Sequence, residues 1–115
     1  MTETQDLPSQ IAFKAADYMA KYGNCKGIQQ DADGRVCLEG AVRMAAFGHL
    51  RINLGSFTLF QGSAGELWKH LYYLIKLSHP TAAGPVVFND EIAENGEDVI
   101  LLLKQAGHDL EEQGR

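Results

Sequence analysis

Between Ser63 and Ser78 the apolar residues Leu67, Trp68, Leu71, Tyr72, Leu74 and Ile75 recur at helical spacing and cover more than half a helix circumference. A helix apolar over so much of its surface has to be wrapped by other elements before it is stable in water. Ser63 and Glu66 have the spacing of a capping box at its start, and Pro80 ends it soon after Ser78. The pattern therefore predicts a mainly α fold, with this helix as its core and the remaining helices around it.

Those helices are legible. Leu7 to Tyr22 reads as the first: Asp6 can cap it, Pro8 sits in the first turn, and Gly23 follows as the stop. Ile11, Ala12, Ala15, Ala16, Met19 and Tyr22 share its inner face, and Asp17 and Lys21 are spaced as an exposed ion pair. After a glycine-broken loop over 23–36, a shorter helix fits Leu38 to Phe47, with Leu38, Ala41, Val42 and Ala45 inward. Gly40 inside that helix costs about 1 kcal/mol against alanine, which points to close packing on a neighbour. Asn95 with Asp98 caps a last helix running to about Glu112, whose stripe is Val99, Leu102, Leu103, Ala106 and Leu110.

Two segments break the helical period. Leu50, Ile52 and Leu54, then Phe57 and Leu59, alternate on either side of Gly55-Ser56, the signature of a short β-hairpin over 50–60. Pro85 to Phe88 reads as a short strand beside it or a buried extended link. The expected architecture is a small bundle of about four helices with that hairpin, forming one globular domain over 7–115 behind a disordered tail at 1–6. Self-pairing of the hairpin edge would make a homodimer.

Composition narrows the function classes. The net charge is −5, split as +1 over residues 1–80 and −6 over 81–115. Without a basic face the chain is not expected to bind nucleic acid. The longest apolar run, Val99 to Leu103, is far too short to span a membrane, and the polar Met1–Asp6 start has no signal-peptide character. Two cysteines make no disulfide framework, which suits a cytoplasmic protein. No Gly-rich string carries a nucleotide-binding spacing, and no cofactor is expected.

Four blocks carry a family likeness: Gly23-Asn24-Cys25-Lys26-Gly27, Asp33-Gly34-Arg35-Val36-Cys37-Leu38-Glu39-Gly40-Ala41, Val87-Phe88-Asn89-Asp90, and the helix start Glu97-Asp98-Val99-Ile100. In that order the chain resembles an uncharacterised domain family of actinobacteria and their bacteriophages. The likeness spans roughly residues 10–110, and the second block is its specific part. Asn24 and Phe88 stand where the family pattern usually has tryptophan. The resemblance implies an actinobacterial or phage origin, hence the host cytoplasm if phage-encoded, and no assigned activity.

Candidate chemistry concentrates in the same blocks. Arg35, Cys37, Asn89 and Asp90 form the candidate ligand-binding cluster, on the expectation that Asp90 reaches Arg35 across the edge of the core. A free cysteine is usually a small buried hydrophobe, and Cys37 is expected to be one. The enzymatic alternative makes it a nucleophile at a helix N-terminus, helped by Arg35 and Asp90. Cys25, Cys37 and the scattered histidines His49, His70, His79 and His108 lack metal-ligand spacing. Asp31-Ala32-Asp33-Gly34 could open a calcium loop, but Gln29 and Gly40 occupy the first and last ligand positions, so an Asp-Gly turn is expected. Lys69, Tyr73 and Lys76 share one helix face, an expected partner surface. The resulting expectation is a non-enzymatic accessory protein that binds a protein partner or a small ligand; the alternative is a small enzyme built on Cys37.

Overall fold

The computed structural model describes residues 6–48, 50 and 62–115. Helix α1, Pro8–Tyr22, is the hub against which α2 (Leu38–Phe47), α3 (Gly62–Ser78) and α5 (Gly96–Glu112) all pack, with α5 its principal neighbour. The centre is thus α1, not the Leu67–Ser78 segment. The reason is side-chain size: Ala12, Ala15 and Ala16 line the buried face of α1 and let neighbouring helices approach from several sides. Leu67, Trp68, Leu71 and Ile75 of α3 still join the core, but Tyr72 is 40% exposed and Leu74 half-buried. On α1 the buried face stops at Met19, because Tyr22 turns outward at 43% exposure and packs on Tyr18 with ring centroids 4.5 Å apart. Lys21 lies over the Tyr22 ring rather than pairing with Asp17.

The helix ends show which local signals won. Leu7, not Asp6, is the N-cap of α1, and its N–H donates to the Gln10 side chain at 2.8 Å. Asp6 instead pairs with Lys14. Because α3 already begins at Gly62, Ser63 lies inside its first turn, and Glu66 pairs with Arg115 instead of closing a capping box. The Asn95 cap of α5 holds as expected. Its Oδ1 accepts from Asp98 N–H at 3.2 Å, and Asp98 in turn accepts from Glu94 N–H at 2.9 Å. The hairpin expected over 50–60 lies outside the described residues apart from Leu50.

Pro85 to Phe88 is neither strand nor extended link. Gly84, at φ +149°, leads into a single helical turn, α4 (Pro85–Val87), which widens into a π-helical turn over Phe88–Ile92. Proline is at home at a first helical position, and four apolar residues alone do not distinguish a strand from a buried turn.

α3 and α5 are pinned by His70 Nε2 and Asp109 Oδ2, 2.9 Å apart. The hydrogen bond from His70 holds the Asp109 carboxyl below its ordinary range, against a smaller opposing effect of burial. A carboxylate depressed on folding stabilises the fold above its unfolded pKa, about 3.8, and that contribution fades as pH falls through the lower folded value. Acid melts should therefore show wild type losing stability below about pH 4 faster than a His70→Ala variant. Parallel acid limbs would refute the assignment.

Candidate functional site

The loop between α1 and α2 is built by its own backbone. Gly23 ends α1 at φ +96°, and its carbonyl accepts from Val36 N–H at 2.9 Å; Cys25 N–H donates to Val36 O at 3.0 Å. Further along, Cys37 N–H reaches Gln29 O at 3.1 Å, so the two ends of the loop run side by side. At its tip Gly34 takes φ +87°, the positive angle an Asp-Gly turn requires. Asp31 organises that turn: Oδ1 accepts from the N–H groups of Asp33 and Arg35, and Oδ2 from Arg35 Nε at 2.6 Å. Although burial pushes the Asp31 carboxyl up, these donors outweigh it and hold the group below its usual range. The carboxylate is thus committed to an arginine. Among the described residues no group of three or more His, Cys, Asp or Glu side chains is placed to hold a metal ion.

Asn89 locks this loop to the rest of the molecule. The π-turn carries it inside, at 1% exposure. Its Oδ1 accepts from Leu38 N–H at 3.0 Å and from Asn24 Nδ2 at 2.8 Å; its Nδ2 donates to Cys25 O at 3.0 Å and Asp90 Oδ1 at 2.8 Å. A side-chain amide has two donors and two acceptor sites, and all are used. Asp90 Oδ1 also accepts from Gly27 N–H at 2.9 Å. Lys26 closes the arrangement from above, donating to the carbonyls of Asn89 and Ala93, which fall at the wide turn.

A model for a family of unknown function, DUF6197, matches residues 3–109. The chain belongs to that family. Among curated proteins and solved structures, none matches it.

In this DUF6197 member the four expected ligand residues do not meet at one place. Cys37 and Asp90 border a small cavity of about 160 Å³ together with Glu39 and Val86. Arg35 borders a separate, larger cleft of about 540 Å³ with Lys26, Asp31 and Asn95. Arg35 does not reach Asp90: it is held by Asp31, and its stem packs against Gly23. Lys69 and Tyr73 are exposed on α3, where the Tyr73 ring lies 5.6 Å from that of His70. Lys76 is half-buried, with Nζ 5.5 Å from the centre of the Tyr72 ring.

Cys37 is buried and is the N-cap of α2, its Sγ accepting from Gly40 N–H at 3.3 Å. Burial outweighs that donor and pushes the thiol up to about 11, the opposite of what a nucleophile needs. Cys25 is raised too, chiefly by burial, and donates to the carbonyls of Ile28 and Arg35. Both thiols should resist alkylation at pH 8 in the native protein and react on unfolding. A thiol raised on folding costs nothing below its unfolded pKa of about 9, and lowers stability as pH climbs from there toward about 11. Alkaline melts of wild type should fall more steeply over that window than those of Cys37→Ala, which itself should lose about 1–2 kcal/mol at neutral pH. Rapid native labelling of Cys37 would sink this reading.

Arg43 was not singled out by sequence reasoning, yet it is 1% exposed. Its Nε meets Glu39 Oε2 at 2.9 Å, and Glu39 also accepts from Gln29 Nε2 at 3.3 Å. Its Nη2 has no partner among the described residues. The available signal was the Glu39/Arg43 spacing of four on a helix whose surroundings are apolar. Asn24 and Lys26 were missed as well, because the partners that tie them to the π-turn and the residue after it, Asn89 and Ala93, lie more than sixty residues away along the chain.

Proposed function

We propose that this chain is a non-enzymatic accessory protein of actinobacterial or phage origin that works in the cytoplasm by binding a protein partner through the outer face of α3. One observation carries the reading: the polar side chains that resemble a catalytic set are each committed to a partner within the chain, while Lys69 and Tyr73 are left outward. Cys37 caps a helix, Asn89 has no hydrogen-bonding capacity left, and Arg35 is occupied by Asp31. Tyrosine beside lysine on a rigid helix offers contact area at little entropic cost, which suits association. The origin rests on the Asp33–Ala41 string, and the compartment on the two free cysteines. Among the described residues no helix is long and apolar enough to cross a membrane.

The test is a hydrolase and transferase screen of the purified protein beside its Cys37→Ala and Asp90→Ala variants. The expected result is no turnover above the variants. Turnover lost in either variant would overturn the proposal and favour an enzyme built on the Cys37 and Asp90 cavity.

A further inference from the structure

Beside the outer face of α3, a cavity of about 230 Å³ is lined by Trp68, Tyr72, Gly84, Pro85, Val86 and Val87. Its shape comes from a backbone approach. Gly84 at φ +149° lies flat against the Tyr72 ring, and a Cβ there would stand 2.8 Å from Tyr72 Cε2. Trp68 forms the floor at 5% exposure, whereas Tyr72 and Val86 stand at the rim, 40% and 45% exposed. The volume is below the roughly 300–1,000 Å³ of sites for drug-sized ligands and cofactors, and matches a single large side chain. The lining offers aromatic and aliphatic surface with no charged side chain, so the group it takes is apolar.

On its α3 side the cavity adjoins positive charge, while at Val86 it adjoins the smaller cavity that Glu39 and Asp90 line. From Leu67 to Asn89 the chain carries Lys69 and Lys76 and not one Asp or Glu, although its net charge is −5. Lys76 stands beside the cavity wall, its Nζ over the Tyr72 ring and 3.4 Å from Pro80 O. Lys69 is the exposed neighbour of Trp68, three residues before Tyr72 on the same helix. An apolar socket with lysines along its α3 side is complementary to acidic residues that flank an apolar one on that side.

We propose that this cavity is the docking site for an acidic peptide segment of a partner protein, which inserts one large aliphatic or aromatic side chain between Trp68, Tyr72, Pro85 and Val86 and sets its carboxylates against Lys76 and Lys69. The proposal rests on the binding reading above and gives that partner a chemical class. The inserted side chain supplies the anchor, and the lysines select acidic flanks and speed encounter at low salt.

Trp68 is the chain's single tryptophan, so its fluorescence reports on the cavity directly. The probes are two immobilised heptapeptide libraries with a central Leu, Ile, Phe or Trp, one with Asp/Glu flanks and one with Lys flanks. The best tryptophan-free acidic sequence is then titrated in solution. Expected are retention on the acidic library, a saturable change in Trp68 emission, and at least tenfold weaker binding for both Val86→Asp and Lys76→Glu at unchanged thermal midpoint. Raising salt should weaken binding to wild type. Equal retention on both libraries, or selection unaffected by both variants, would overturn the proposal. So would a concentration-dependent dimer in sedimentation that Val86→Asp abolishes, since a second copy would then fill the cavity. None of these failures creates enzymatic turnover, so the broader binding reading is judged separately by the activity screen.

Discussion

Asn89→Ala is expected to lower the stability of the fold by about 3–4 kcal/mol, among the largest losses any single substitution here should cause. The truncation leaves Leu38 N–H and Cys25 C=O without their side-chain partner, and an unpaired buried polar group costs about 1–3 kcal/mol. It also frees Asn24 and Asp90, which meet the same amide. The damage should be local before it is global. Amide exchange at Gly27 and Leu38 should accelerate well before that of α5, because these groups join the loop to the π-turn and to the start of α2. Asn89→Asp separates donor from acceptor: the new carboxylate can still accept from Leu38, but it faces the Cys25 carbonyl and the Asp90 carboxylate. Repulsion should raise its pKa, so the loss at pH 7 should be comparable to that of alanine and ease toward about pH 5. An urea midpoint for Asn89→Ala within error of wild type would remove Asn89 from the centre of the site.

That hub explains what the sequence could and could not disclose. The α2 limits, the Asn95 cap and the Gly34 turn were legible because each depends on residues within four positions, where capping and turn chemistry act. The Asn-Asp pair could be recognised as a polar feature after an apolar run. That Asn89 would reach back to Asn24, Cys25 and Leu38 could not, since those partners lie 51 to 65 residues away. The same limit misled the choice of central helix. Leu67, Trp68 and Leu71 advertise a broad apolar face, whereas Ala12, Ala15 and Ala16 gain their importance only when other helices close on them. Arg35 and Asp90 were grouped because each stands in a motif. The nearer carboxylate of Asp31, four residues before Arg35, wins that arginine with less chain entropy to overcome.

Gly40→Ala carries the second large effect, and its sign runs against helix propensity. In an unconstrained helix interior the change would stabilise by about 1 kcal/mol. Here the new Cβ would lie 2.2 Å from Gln29 O and 3.0 Å from Gln29 C. These are backbone atoms, and the oxygen is held in place by accepting from Cys37 N–H at 3.1 Å. Moving it away breaks the bond that pairs the two ends of the loop; leaving it forces α2 outward, away from the core it shares with α1 through Ala41 and Val42. A net loss of about 2–3 kcal/mol is expected, as for other overpacked interiors, and Gly40→Val should leave too little stability for a cooperative transition. Gly107→Ala is the matched control. Its Cβ would also come within 2.8 Å of a neighbour, but that neighbour is the half-buried Phe13 ring, which can swing aside. It should therefore stay within about 1 kcal/mol of wild type, since helix propensity offsets the crowding. If the two alanine variants melt alike, the close approach of α2 to the Gln29 backbone is not what fixes the loop.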